Sequence, residues 1–234
     1  MQSKHKGILL FTKIYKENDL FIKFLSDKDH LITGIVYGGL SKKKRNIYQI
    51  GNFLDLNIQQ FNNRPTTITA EISDPYISNI INDRYKLNCL LSVTSLINLS
   101  IIEGQKVNNI FKISTEFLNF MFYNKKWFKE FCIYLFTLLK IIGYEIDFIS
   151  SNQYKYFDLN DLEFKKNITS ETLEFPFNAF KDSNLDLNLD ESIKIFKIFE
   201  TVYVKNHLNN FNLRLPNQYQ LFKKLIIDRL KLNG

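Results

Sequence analysis

Hydrophobic and polar positions alternate with a period of two over the first 74 residues, and five short runs can be told apart. Residues 7–15 form the first, closed by the turn signal Lys16-Glu17-Asn18. Residues 19–25 set Leu20, Ile22 and Phe24 on one face against Phe21, Lys23 and Leu25 on the other. A third strand covers residues 31–37. The fourth, Phe53–Phe61, turns Leu54, Leu56 and Ile58 inward and Asp55, Asn57 and Gln59 outward. After the turn residues Asn62-Asn63-Arg64-Pro65, residues 66–73 turn Ile68, Ala70 and Ile72 inward. Five short strands in about 70 residues predict an OB-type barrel, a sheet closed on itself so that most edges disappear.

Past Asp74-Pro75 the period changes to 3.6. Leu87, Leu90, Leu91, Thr94, Ile97 and Ile101 share one face of a helix that ends at Glu103-Gly104. Val107, Ile110, Phe111, Ser114, Phe117, Leu118 and Met121 share a face of the next. A third, over residues 125–142, is apolar nearly all round, which predicts a central buried helix capped by Gly143. Residues 150–189 break the pattern with β-like pieces at 153–157 and 163–166, punctuated by Pro176 and Ser183-Asn184. Helical period returns at Asp190, and a last helix starts near Pro216. The predicted fold is α+β. An N-terminal five-stranded OB-type β-barrel (1–76) precedes an all-helical domain (77–234), with 150–189 as an irregular insertion.

Charge refines this picture. The chain of 234 residues carries +7 overall, unevenly spread. Residues 1–78 hold 11 Lys and Arg against 7 Asp and Glu, and residues 191–234 hold 8 against 3. Residues 151–190 are acidic, with 4 against 8. A phosphate-bearing partner would meet the two basic ends. The most concentrated basic feature is Lys42-Lys43-Lys44-Arg45, which follows the third strand and a Gly38-Gly39 bend, with Tyr48 just beyond. Cations projecting from a mobile loop on a small barrel suit a polyanionic backbone. Lys13 and Lys23 lie on the outward faces of the first two strands and join them as candidate contacts; Phe11 and Phe21 are read as packing residues. In the last helix Lys223 and Lys224 face outward beside aromatic residues, a pattern suited to an acidic-hydrophobic peptide.

Catalytic and metal-binding patterns are missing. His5, His30 and His207 stand in unrelated contexts without metal-ligand spacing, and no phosphate-binding or dinucleotide glycine motif occurs. Cys89 and Cys132 fall inside helical patterns, so no disulfide framework is implied and a reducing compartment is the default. No signal peptide or membrane-spanning run is predicted, and the expected location is the cytoplasm. Enzymatic activity is not expected.

Several ordered patterns resemble the RecO family of DNA repair proteins. Gly7-Ile8-Leu9-Leu10 and Tyr15-Lys16-Glu17-Asn18-Asp19 are similar to that family's first strand and turn. Gly34-Ile35-Val36-Tyr37-Gly38-Gly39 followed by cations resembles its Gly-rich basic stretch, and Ile142-Gly143-Tyr144 with Asp147 resembles the segment closing its central helix. The resemblance implies a non-enzymatic protein of recombinational repair. It would bind single- and double-stranded DNA, anneal complementary strands, and load recombinase together with RecR and the C-terminal tail of the single-strand-binding protein. It places the DNA-contacting loop on Lys42, Lys43, Lys44 and Arg45. Many relatives carry a four-cysteine zinc site after the Gly-Tyr segment, yet residues 150–189 contain no Cys and no His. No cofactor is therefore expected, and the insertion must hold its shape by packing. The basic motif that the family carries near its C-terminus is degenerate around Leu215-Pro216-Asn217-Gln218-Tyr219. Two other classes share these features: an OB-type RNA-binding module, and a scaffold that binds acidic protein tails.

Overall fold

In the computed structural model, residues 1–146, 154–181 and 186–233 are described. Asp147, Gln153 and the Ser183-Asn184 pair lie outside them. The contacts divide the chain into two compact units, residues 1–118 and 119–234.

The first unit is built on a closed barrel of β1 (Gln2–Lys16), β2 (Asp19–Ser26), β3 (Leu31–Val36), β4 (Phe53–Phe61) and β5 (Arg64–Asp74). Its strand order is β1-β2-β3-β5-β4, with β3 and β5 parallel and every other pair antiparallel. That is the closed topology expected of an OB-type barrel. Leu9, Leu20, Ile22, Phe24, Val36, Leu54, Leu56, Ile58 and Ile68 fill its interior. The inward sets predicted for β2 and β4 are the observed ones. Ile72 is a correction: it is 38% exposed, because it lies near the end of β5, where the register with β4 shifts. A second correction is that β1 begins at Gln2 rather than Gly7. Its first residues are polar and carry no apolar alternation, yet they pair along β4 from Gln59 to Asp55.

After the barrel come α1 (Tyr76–Ile80), α2 (Arg84–Ser100) and the start of α3 (Ile110–Tyr123). Asp83 caps α2 by accepting from the backbone N–H groups of Tyr85 and Lys86. Ile101 leaves the helix in an extended conformation, although the sequence pattern counted it on the helical face. The β2–β3 turn supplies a remote cap for α3. The Asp29 carboxylate accepts from Asn109 N–H at 2.9 Å and from Phe111 N–H at 3.0 Å.

The second unit centres on α4 (Phe128–Ile141), α6 (Leu189–Asn206) and α7 (Asn217–Asn233), with a 3-10 turn at Leu208–Phe211. Helix α4 ends in a Schellman motif. Gly143 N–H donates to the Lys140 carbonyl and Tyr144 N–H to that of Leu139, with Gly143 at φ +96°. Helix α6 opens with a capping box between Asn188 and Glu191. The predicted irregular insertion contains a three-stranded antiparallel sheet of β6 (Tyr156–Asp158), β7 (Glu163–Lys165) and β8 (Thr172–Glu174), followed by the short α5 (Phe177–Lys181). Three-residue strands are too short to establish a period in the sequence, and the third had no signal.

Zinc does not fit this sheet, since the segment offers neither thiolate nor imidazole. No group of His, Cys, Asp or Glu among the described residues is arranged to hold a metal. Packing supplies the cross-links. Phe164 meets Phe157 at 5.2 Å and Phe175 at 5.6 Å between ring centroids, and Phe175 meets Phe177 at 4.8 Å and Phe180 at 5.3 Å. Phe136 of α4 lies 5.7 Å from Phe175, which ties the sheet to the helical core. A polar clip completes the β6–β7 turn. Asp158 accepts from Asn160 and Asp161 N–H groups, and Lys165 donates to both Asp158 and Asp161. These bonds hold the Asp158 carboxyl below the usual carboxylate range, the backbone donor of Asp161 contributing most. Phe175→Ala is expected to lower the unfolding free energy by about 3–5 kcal/mol. A metal chelator is expected to leave the wild-type melting temperature unchanged. Thermal melts of both proteins with and without chelator check this, and a chelator-sensitive melt would show that a metal holds the insertion.

Candidate nucleic-acid interface

The loop between β3 and β4 carries the basic run, and all four side chains, Lys42, Lys43, Lys44 and Arg45, are exposed. No carboxylate pairs with any of them among the described residues. Yet the loop is pinned, not mobile as its sequence suggested. Its backbone folds through successive turns: Ser41 N–H donates to the Gly38 carbonyl, Lys44 and Arg45 N–H to that of Ser41, and Ile47 N–H to that of Lys44. Two bonds join it to the β1–β2 hairpin. Gly38 N–H donates to Asp19 Oδ1 at 2.8 Å, and Leu40 N–H to the Asn18 carbonyl at 3.0 Å. Gly38 is at φ +64°, which glycine adopts without strain; Gly39 packs so closely that a Cβ would lie 2.9 Å from Leu20.

The far end of the loop is anchored more firmly. Asn52 is buried and donates its amide to the Asn46 and Ile47 carbonyls at 3.0 and 2.8 Å. Its backbone bonds to Leu9, as does that of Gly51. Tyr48 is the main correction to the sequence reading. At 5% exposure it belongs to the barrel core, with Leu40 and Ile47 packed beside it. Burial pushes its hydroxyl pKa up, and a hydrogen bond with the Ala70 backbone partly offsets the shift. The ring fastens the loop and offers no face to a base. An aromatic two residues beyond a charge run gave no sign in the sequence of which way it would turn.

The strand cations sit as the alternation implied. Phe11 pairs with Lys23 across β1 and β2, and Lys13 with Phe21, so the two lysines are diagonal neighbours on the outer face. Such neighbours stand about 7–8 Å apart. Lys13 is exposed and Lys23 half-buried, as are Phe11 and Phe21. Two exposed tyrosines received no site assignment from the sequence: Tyr15, at the end of β1, and Tyr37, whose carbonyl accepts from Lys44 Nζ at 3.2 Å. Tyr37 stands directly before the Gly-Gly bend, which was the available signal.

Lys223 and Lys224 of the second unit differ from each other. Lys223 Nζ donates to both Glu200 carboxylate oxygens, at 2.7 and 2.8 Å, and lies over the Phe196 ring. It is committed to the helix pair, while Lys224 is exposed. A concave site lies nearby in chain terms. A pocket of about 200 Å³ is lined by Trp127, Phe128, Leu187, Ile226 and Leu230, with Lys125, Lys126, Lys129 and Arg229 around it. Lys126 pairs with Asp186 at 3.0 Å, and the four cations of the lining outnumber this one carboxylate. Elsewhere, burial pushes the Cys132 thiol pKa up, which suits a core residue rather than a nucleophile. Among the described residues no helix is long and apolar enough to cross a membrane.

A five-stranded OB-type barrel with an ordered basic loop, followed by helices, defines the class. Residues 1–76 match the family described as Recombination protein O N terminal. DNA repair protein RecO of Rickettsia bellii (strain OSU 85-389) is 26% identical over 98% of both chains. The RecO proteins of Rickettsia canadensis and Rickettsia akari are 28% and 29% identical over 63% of this chain, stretches that cover 61% and 62% of those proteins. The chain is thus similar to RecO proteins, through the matched N-terminal family model and, at 26% identity, along nearly its whole length.

Asn52→Ala would leave the Asn46 and Ile47 carbonyls without their buried donor. The expected loss is about 1–3 kcal/mol of stability. Faster amide exchange at Arg45 and Ile47 is expected with it, as read by hydrogen exchange. Unchanged exchange in the loop would mean that its own turns hold it.

Proposed function

We propose that this protein binds DNA through the barrel and acts, without catalysis, in recombinational repair, annealing complementary strands and assisting recombinase loading. The observation that carries this reading is the pinned loop that holds Lys42, Lys43, Lys44 and Arg45 outward with no carboxylate among the described residues to neutralise them. Fixed cations meet phosphates without first having to be ordered. Lys13 and Lys23 extend the positive surface along β1 and β2. The names of the RecO relatives favour DNA over RNA as the polyanion. RecR remains part of the proposal by resemblance to RecO proteins, without an assigned surface.

The pocket beside Trp127 supports the second partner. An apolar floor under a cationic rim suits an acidic-hydrophobic peptide such as the tail of the single-strand-binding protein. This moves the proposed contact from Lys223, which is held by Glu200, to the cations around the pocket, Lys125, Lys129 and Arg229 beside the Lys126–Asp186 pair, with Lys224 retained as an exposed cation.

Two experiments test these readings. For single strands, log affinity falls against log salt by about 0.7 per phosphate contact. Replacing Lys42, Lys43, Lys44 and Arg45 together by Ala should therefore flatten the slope by up to roughly 3 units. Annealing should decline with it, while thermal stability changes little. An unchanged slope in a folded variant would overturn the loop assignment. For the pocket, Lys125→Glu with Lys126→Glu is expected to weaken a fluorescent acidic tail peptide at least about tenfold and to remove most of its salt sensitivity. Equal affinity for wild type and variant would place the tail elsewhere.

A further inference from the structure

Two exposed aromatic rings remain at the rim of the barrel that carries the basic loop. Tyr15 is 46% exposed and Tyr37 is 55% exposed, large apolar surfaces to leave in water on a small barrel. The ladder explains why they share a rim. Ile14 of β1 pairs with Leu20, and Leu20 pairs in turn with Val36 of β3. Tyr15 follows Ile14 in β1, at the register shift between Ile14 and Lys16, and Tyr37 stands just past the end of β3. Two strand spacings separate those positions, about 10 Å. Hydrogen bonds fix both ends of this arrangement: Gly38, next to Tyr37, bonds to Asp19, whose Cα partner is Lys16, next to Tyr15.

Cations accompany each ring. Lys16 Nζ lies 5.6 Å from the Tyr15 ring centroid, and Lys44 Nζ is bonded to the Tyr37 carbonyl. Two carboxylates stand at this rim: Asp19 accepts from Gly38 N–H, and Glu17 is exposed in the turn beside Lys16. Ring faces beside ammonium groups are the arrangement that receives an unpaired base and its phosphate together. A duplex hides its base faces in the stack and offers only phosphates to the same surface.

We infer that Tyr15 and Tyr37 form a stacking platform for unpaired bases, and that this platform makes the barrel favour single-stranded over duplex DNA. The inference rests on the DNA-binding reading of the basic loop and adds a base-dependent element to its charge-dependent one. Lys42, Lys43, Lys44 and Arg45 supply salt-sensitive attraction to either form, whereas the tyrosines act on single strands alone. The partner is any flexible strand with free base faces, without hydrogen-bond readout of sequence.

The test compares wild type, Tyr15→Ala with Tyr37→Ala, and Tyr15→Phe with Tyr37→Phe. Three probes of equal length are used: oligo-dT, an abasic strand of the same charge, and a blunt duplex. The Ala variant is expected to lose at least about fivefold in oligo-dT affinity per ring. Its affinities for the abasic strand and duplex should stay within about twofold of wild type, with an unchanged salt slope. The Phe variant should bind as wild type does, since the ring face and not the hydroxyl is used. Equal losses on oligo-dT and the abasic strand would overturn the platform, as would an Ala variant that binds oligo-dT normally. If the Ala variant does not fold, photo-cross-linking of wild type to 5-iododeoxyuridine in the single strand decides. Adducts at Tyr15 or Tyr37 support the platform, and adducts elsewhere alone overturn it. Failure of the loop reading would look different, because the quadruple loop variant would then keep the wild-type salt slope on all three probes.

Discussion

Barrel closure depends on one strand serving two edges. β1 pairs with β4 along residues 2–8 and with β2 along residues 7–16, so Gly7 and Ile8 carry partners on both sides. Gly7 sits where the two ladders cross. A Cβ there would lie 2.7 Å from the Phe24 ring, 2.8 Å from the Leu25 carbonyl and 2.9 Å from Leu56. Neighbouring backbone and two core side chains leave no room to relieve such contacts, so the crossing requires glycine. Once β1 is bent through this point, its far end and β2 form the hairpin whose turn residues Asn18 and Asp19 bond to the basic loop. The loop's placement is thus a consequence of how the sheet closes.

What the sequence made legible follows from what each feature repeats. β2 and β4 alternate cleanly, and their inward residues, Leu20, Ile22, Phe24, Leu54, Leu56 and Ile58, are those found in the core. The charge run was equally plain, since solvation of four adjacent cations leaves them little alternative to the surface. Features set by single tertiary contacts were not legible. Nothing in the neighbourhood of Tyr48 distinguishes a ring that turns into the barrel from one that turns outward. Nothing near Asp29 shows that its carboxylate would cap a helix some 80 residues further on. Lys223 looked like its neighbour Lys224 until Glu200, on another helix, took it.

The insertion shows one physical task met by a different chemistry. A short sheet with three-residue strands buries too little backbone to stand alone, and a bound metal is one way to cross-link it. Here ring contacts among Phe157 of β6, Phe164 of β7, Phe175 just past β8, and Phe177 and Phe180 join the sheet to α5. Phe136 brings α4 into the same cluster. Such pairs contribute about 0.5–1.5 kcal/mol each beyond their buried area. Several of them together offset part of the cost of ordering so short a sheet, without needing thiolates.

The basic loop poses the opposite problem, because its chemistry opposes its own order. Four adjacent cations lie well within the screening length of about 8 Å at physiological salt, so they repel one another and favour an extended, disordered chain. Attachment at the far end of the loop therefore comes from residues that carry no charge. Asn52 satisfies two loop carbonyls, Tyr48 buries its ring, and Leu40 and Ile47 pack against the core from either side of the run. That division explains why the aromatic nearest the cations is not the one offered to a ligand. Tyr48 offsets the repulsion only by being buried, and the exposed rings at this rim come instead from the end of β1 and the residue after β3, outside the run of four cations.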